Sequence, residues 1–371
     1  MPHDPYKALY IHIPFCKSRC IYCDFATKAQ DSSSPEITEY FEDLISKIRE
    51  FSKAGELSSI ETVYIGGGTP THAGNANLTS LLYALGISMH LTPSVECTVE
   101  ANPESLDERM VDDLWALGVN RLSLGVQSFD DNLLSLIGRA HNSEEAVRAI
   151  RTAQRKFENI SVDLMCGLPG QTLDSFISDV RQAIELGVKH ISIYPLSVEE
   201  HTPLNNMICA NMFPEPDEDL QADMMEEASR ILRQSGFLHY EVANYAIPGY
   251  ESRHNCSYWQ GIPYLGIGFS ATTMTQNASR RMRVQDNHVV DDLNASQMVA
   301  EDLMLAMRMA KGVSDDKLNE AALILPQAMQ AFQDLAADGF LEHADNRWQP
   351  TKRGWLCGNH LYGALLDLSN Q

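Results

Sequence analysis

The sequence predicts an α/β fold. An open, partial (β/α)6 TIM-like barrel is expected over residues 1–200, an α+β extension over 201–294, and a small winged-helix-like helical tail over 295–371. Three observations predict it. Short apolar or alternating runs rich in Val and Ile recur through the first half, separated by helical stripes, which implies a parallel sheet with crossover helices. There are six such runs, fewer than the eight that close a barrel. Glycines and polar residues gather just after the runs, at the strand ends where parallel barrels place their chemistry.

The strand runs are Ala8–Ile13, Thr62–Ile65, Val95–Glu100, Arg121–Val126, Ser161–Met165 and His190–Tyr194. Between them Phe41, Leu44, Ile45 and Ile48 make one helical stripe, and Leu106, Met110, Leu114 and Leu117 a second. Leu173, Phe176, Ile177, Val180 and Ile184 make a third, with Gly187 as its stop. Residues 197–218, with Pro203, Pro214 and Pro216, read as a loop. Asp217 to Gln234 reads as a helix ended by Gly236, and residues 240–275 turn irregular and aromatic. The tail carries Leu303, Met304, Met307, Leu318, Met329, Phe332 and Leu335 at helical spacing, then a hairpin wing from Gly339 to Gly354.

A winged helix can bind DNA, but charge argues against that partner. Fifty acidic residues against twenty-eight basic ones leave a formal charge of −22, which repels phosphate. No run approaches the ~20 apolar residues of a membrane span, and the N-terminal residues lack a signal peptide's pattern. A reducing cytoplasm is therefore the expected compartment. The sequence carries no signal for an oligomeric state.

Three of the eight cysteines fall on one loop after the first strand: Cys16, Cys20 and Cys23, in a C-x3-C-x2-C spacing. Three thiolates can hold three corners of an iron–sulfur cubane and leave the fourth iron open. A zinc closed by His12 is the competing occupant. Cys97, Cys166, Cys209, Cys256 and Cys357 stand singly and mostly read as buried apolar residues. Other strand ends supply Gly66-Gly67-Gly68-Thr69-Pro70, Glu100, Gln127, Asp163 and Tyr194. The glycines permit close approach and offer bare N–H donors. The polar side chains can hold a ligand's hydroxyls or ammonium, or satisfy one another. Arg139 can meet a carboxylate, or can be an ordinary surface arginine.

Together, Tyr10-x-His12-Ile-Pro-Phe-Cys16, the cysteine spacing, Gly66–Pro70, Gly-Val-Gln-Ser-Phe at 125–129 and Gly-Leu-Pro-Gly-Gln-Thr at 167–172 resemble the radical S-adenosylmethionine superfamily. Within it the chain resembles the coproporphyrinogen III dehydrogenase-like group, nearly end to end. The resemblance implies a [4Fe-4S] cluster on Cys16, Cys20 and Cys23, S-adenosylmethionine on the open iron, and an electron donor that reduces the cluster. It also implies that Tyr10, Tyr22, Gly67, Gly68, Thr69, Glu100, Gln127, Arg139 and Asp163 match cofactor-contacting positions.

The group includes a porphyrinogen-oxidising enzyme and a heme-binding chaperone that delivers heme to acceptor proteins. The enzyme carries a further cysteine where this chain has Phe25, and an N-terminal extension ahead of the first strand. The chaperone carries H-N-x-x-Y-W, present here as His254-Asn-Cys-Ser-Tyr258-Trp259, which makes His254 a candidate heme ligand. One departure stands out: Thr272 occupies a position where the group has histidine. The resulting expectation is a heme chaperone, with peripheral membrane contact also implied by the resemblance; the alternative is oxidative decarboxylation of coproporphyrinogen III.

Overall fold

Period-two alternation sets the two faces of the main sheet. The computed structural model describes residues 3–89, 92 and 94–370. In it β1 (Ala8–Ile13), β2 (Thr62–Gly67), β3 (Glu96–Ala101), β4 (Arg121–Gln127), β5 (Ile160–Cys166) and β6 (His190–Pro195) pair in parallel, in chain order. One face places Leu9, Val63, Val99, Leu122, Val162 and Ile191 in the main apolar core. That core is shared with α1 (Pro35–Lys53), α2 (Asn75–Met89), α3 (Glu108–Ala116), α4 (Ser143–Ala153) and α5 (Leu173–Glu185). The other face is polar. Tyr64 lies beside Thr98, Glu100 beside Ser123, and Asp163 beside both Gly125 and Ser192. A parallel sheet covered by helices on both sides would be apolar throughout, so this polar face marks a lumen.

The glycine-bearing motifs after β4 and β5 position this rim. Ser128 Oγ and the Phe129 N–H both donate to Asp179 of α5, at 2.6 and 2.9 Å. After β5, Gln171 accepts from the Leu168 N–H and donates to the Met165 carbonyl, both at 3.1 Å. Thr172 then caps α5. The third helical stripe is therefore recovered, with Gly187 just beyond it at φ +79°.

The irregular stretch departs from expectation. After α6 (Glu218–Gln234) come β7 (Leu238–Glu241), β8 (Asn244–Ala246), α7 (Arg253–Trp259), β9 (Tyr264–Ile267), β10 (Thr272–Asn277), β11 (Arg280–Gln285) and β12 (His288–Asn294). Strand β9 is a seventh parallel strand, paired with β1 through Ala8–Tyr264 to Ile11–Ile267. Its four residues include Gly266, too short and too glycine-rich for a periodicity to show. The sheet order is β12-β11-β10-β9-β1-β2-β3-β4-β5-β6-β8-β7, open at both ends. The barrel is thus partial, as predicted, and residues from the extension line both of its flanks.

The tail has its own core, with Leu303, Leu318, Phe332, Trp348 and Leu361 buried among α8 (Ala295–Ala306), α9 (Asp315–Ala322), α10 (Ala328–Ala337) and α11 (Gly358–Leu366). A three-stranded sheet of β13 (Val313–Ser314), β14 (Leu341–Ala344) and β15 (Arg347–Pro350) supplies the wing. Its hairpin turns at Asp345 and Asn346, both at positive φ. Buried charge joins tail to sheet. Arg281 bonds Glu301 at 2.5 Å and Asp302 at 2.8 Å, and Arg283 reaches Glu301 at 2.9 Å.

Glu241 of β7 is 1% exposed and accepts from Trp259 Nε1 at 2.8 Å. Burial pushes its carboxyl up from 4.5 to about 7, against the opposing pull of Trp259, Asn244 and Arg308. The folded chain therefore keeps this proton to higher pH than the unfolded chain, and the resulting stability falls as pH rises from about 4.5 through about 7. Glu241→Gln is expected to gain stability relative to wild type as pH is raised across that window, measured by urea unfolding at each pH. A pH-independent difference would contradict this.

Candidate functional site

The cysteine loop is pinned at both ends. Phe15–Cys16 pairs in parallel with Lys28–Ala29, and the Ile21 N–H donates to the Ile137 carbonyl at 3.1 Å. Cys16, Cys20 and Cys23 all line one cavity of ≈ 320 Å³ at the C-terminal ends of the parallel strands. Each sulfur has a polar partner. Thr69 Oγ1 lies 3.5 Å from Cys16, Arg139 Nη1 3.6 Å from Cys20, and Thr27 Oγ1 3.8 Å from Cys23. Burial pushes the Cys16 thiol up to about 11, so without a bound cation it stays protonated.

Tyr22, Gly67, Gly68, Thr69, Glu100, Gln127, Arg139 and Asp163 line the same cavity. Tyr10 is not among the residues that line it; its hydroxyl bonds His12 Nδ1 at 3.0 Å. Glu100 accepts from Tyr64 OH at 2.7 Å and from the Gly67 N–H at 3.0 Å. Burial pushes its carboxyl up to about 7, and burial raises Asp163 as well. Arg139 is a cavity residue, held by Asn102 Oδ1 at 2.8 Å and by the Gly125 carbonyl. Gln127 sits at φ +70° beside a register shift in β4, a conformation that turns the strand end into the cavity.

The glycine run works by space, since its N–H groups are taken. The Gly67 N–H donates to Glu100 and the Gly68 N–H to the Ile13 carbonyl. A Cβ on Gly68 would stand 2.8 Å from the Phe15 carbonyl and 3.0 Å from Cys16 Sγ. A Cβ on Gly67 would strike the His12 ring. The zinc alternative fails on His12: its Nδ1 meets Tyr10, its Nε2 meets the Ala26 carbonyl at 3.0 Å, and the ring is buried. Among the described residues no three His, Cys, Asp or Glu side chains close on a single-ion position. Thiols spread along a cavity wall, each with a polar partner, suit the corners of a polynuclear cluster instead.

Comparison with known proteins agrees with that chemistry. The radical SAM superfamily profile matches residues 10–183, and the HemN C-terminal domain profile matches 293–357. The heme chaperone HemW of Lactococcus lactis is 34% identical over 374 residues, covering 97% of each chain. The chain belongs to the HemW family of the radical SAM superfamily. The heme chaperone HemW of Bacillus subtilis is 35% identical, covering 97% of this chain and 99% of its own. That of Escherichia coli is 32% identical over 98% of both. The solved structure of coproporphyrinogen III oxidase (HemN) from Escherichia coli shares the fold, with a TM-score of 0.79 at 20% identity over 99% of this chain and 91% of that one.

In this HemW-family chain the H-N-x-x-Y-W motif forms α7, and His254 is 1% exposed. Its Nδ1 bonds Thr62 Oγ1 at 2.9 Å, its Nε2 bonds Tyr258 OH at 3.0 Å, and its ring packs on Tyr64. Its N–H donates to Glu96 at 2.9 Å. Both ring nitrogens are engaged, so the expectation of an axial heme ligand finds no free donor at this position. Instead the motif fastens α7 to the polar sheet face. Thr272, where the group has histidine, begins β10.

Two functional positions escaped the sequence reading. Asn102 donates to Thr69 Oγ1 at 3.0 Å while accepting from Arg139, so it links the partner of Cys16 to the partner of Cys20. Its only signal was a place after a strand end. Arg121 is 2% exposed, and its charge opposes the upward shifts of Glu100 and Asp163. The alternation Arg121-x-Ser123-x-Gly125-x-Gln127 was that signal. Cys209 and Cys357 proved exposed, unlike buried Cys97 and Cys166.

His254→Ala leaves Thr62 and Tyr258 without their partner, and is expected to cost about 2–4 kcal/mol in urea unfolding. Unchanged stability would remove the fastening role.

Proposed function

We propose that this chain is a heme-binding chaperone that delivers heme to acceptor proteins in the cytoplasm. The observation that carries the reading is full-length similarity to proteins named heme chaperone HemW, together with three thiols on one cavity, each with a polar partner. On this reading residues 1–200 hold the cofactors, while 201–294 and 295–371 handle the cargo. Among the described residues no helix is long and apolar enough to cross a membrane.

Cys16, Cys20 and Cys23 would hold a [4Fe-4S] cluster, and S-adenosylmethionine would lie against Tyr22, Gly67, Gly68, Thr69, Glu100, Gln127, Arg139 and Asp163. When bound, these groups supply one-electron reductive cleavage of a sulfur–carbon bond, fed by an external electron donor. The chain's own residues prepare that site. Thr69 and Arg139 donate to the Cys16 and Cys20 sulfurs, and Thr27 Oγ1 pairs with the Cys23 sulfur. Glu100, its carboxyl raised by burial and held in place by Tyr64, would accept a hydrogen bond from a ligand ammonium or hydroxyl. Gly68 keeps the Cys16 sulfur close to the strand end.

After anaerobic reconstitution the wild type is expected to hold about four irons and four sulfides per chain. Gly68→Ala should retain less than half of that, by elemental and sulfide analysis, because its methyl group displaces the Cys16 segment. Wild-type metal content in the variant would contradict the close-approach argument. Supplied with coproporphyrinogen III, S-adenosylmethionine and a reductant, the loaded protein is expected to make no protoporphyrinogen catalytically. Sustained turnover would replace the chaperone reading with the dehydrogenase one.

A further inference from the structure

A cavity larger than the cysteine one lies between the barrel flank and the tail. It measures ≈ 1120 Å³, and its walls are the chain after β6, the helical turn Pro203–Cys209, α6, and residues 355–362 of the tail. That volume exceeds the ~300–1,000 Å³ of small-molecule sites, so it has room for a longer occupant. Its free charge is negative. Glu215 and Glu218 line it, within Glu215-Pro-Asp-Glu-Asp219, where four of five residues are carboxylates. Neither makes an ion pair among the described residues: Arg230 of α6 is engaged by Glu227, and Lys352 of the tail by Glu226. Arg308, also in the wall, is no free cation, since the buried Glu241 carboxylate faces it.

The wall also carries unused hydrogen-bonding groups. Tyr362 lines the cleft at 7% exposure, and its hydroxyl is buried without a partner. Its ring rests against Gly358, where a Cβ would stand 2.8 Å away, so the ring is held in place. The amides of Asn211, on the barrel side, and Asn359, on the tail side, make no hydrogen bond among the described residues. An amide side chain offers one donor group and one acceptor, the pair that a peptide unit needs. Trp355 adds an indole to the wall, a surface that attracts a Lys or Arg cation.

We infer that this cleft docks an extended, lysine- or arginine-bearing segment of a protein partner. Glu215 and Glu218 meet its cations, Asn211 and Asn359 its backbone, and the Tyr362 hydroxyl one of its carbonyls. The same carboxylates repel nucleic acid and anionic lipid. The inference stands apart from the heme-chaperone reading, since it concerns a protein segment and neither the cofactors nor the cargo.

The test is fluorescence anisotropy of a short labelled peptide of alternating lysine and threonine, titrated with the full-length, cluster-reconstituted protein. The wild type is expected to bind it saturably and to ignore the glutamate–threonine counterpart. Glu215→Lys combined with Glu218→Lys should weaken binding about tenfold. Glu39→Lys combined with Glu42→Lys, an equal change of charge at exposed positions of α1, should leave it nearly unchanged. Tyr362→Phe should weaken it about fivefold, the worth of one hydrogen bond, because no group among the described residues uses that hydroxyl. A purely structural tyrosine would show no such loss. Equal weakening by the two charge-reversed pairs would overturn the cleft assignment, as would wild-type affinity in both the Glu215 and Glu218 pair and Tyr362→Phe. A wild type that binds neither peptide would overturn it as well, whatever a heme titration of the same protein says of the chaperone reading.

Discussion

Everything in the barrel depends on one constraint: a parallel sheet buried on both faces has here been given a polar inner face. Each polar group taken from water must find a partner inside. The partners are the site. Tyr64 holds Glu100, Ser161 bonds His190 at 2.7 Å, and His190 bonds Tyr240 at 2.8 Å. At the rim the same requirement produces a relay from the Cys16 sulfur through Thr69, Asn102 and Arg139 to the Cys20 sulfur. Two thiols four residues apart on a loop are thereby fixed to residues from two strand ends, Thr69 and Asn102, and to Arg139, which follows the helical turn Asp131–Leu136. The loop by itself could adopt many shapes; the lumen selects one.

The same logic explains why H-N-x-x-Y-W lies inside the fold. Thr62 on β2 presents a hydroxyl to the lumen floor, and His254 meets it. The desolvated ring stays neutral, because burial and then the nearby Arg121 charge hold its pKa down at about 3. A neutral imidazole with one donor and one acceptor can bridge Thr62 and Tyr258, whereas a protonated one would confront Arg121. In this arrangement the motif forms a buried clasp between α7 and the sheet.

Much of this was readable from residues alone. The six strand runs, the third helical stripe and the wing hairpin follow from period-two and period-3.6 patterns, and the rule that strand ends carry chemistry reaches Gly67, Gly68, Thr69, Glu100, Gln127 and Asp163, whereas Tyr22 comes only through the resemblance. Strand β9 was not readable, since four residues with a glycine show no period and its pairing with β1 spans the length of the barrel. Asn102 was invisible for a different reason. Its importance lies in touching two other partners at once, a property of distance in space. Tyr10 illustrates the converse: strand position puts it near the rim, yet its hydroxyl turns to His12.

The Arg281 cluster has one further consequence. Arg281 is 2% exposed in β11, and both of its carboxylate partners belong to α8, the first helix of the tail. Severing the chain ahead of α8 would leave a guanidinium interred with no counter-ion, so the sheet and the tail are inherited as a pair. Recombination that swaps tails between relatives must carry the acidic pair along with the helix, or redesign the strand that faces it.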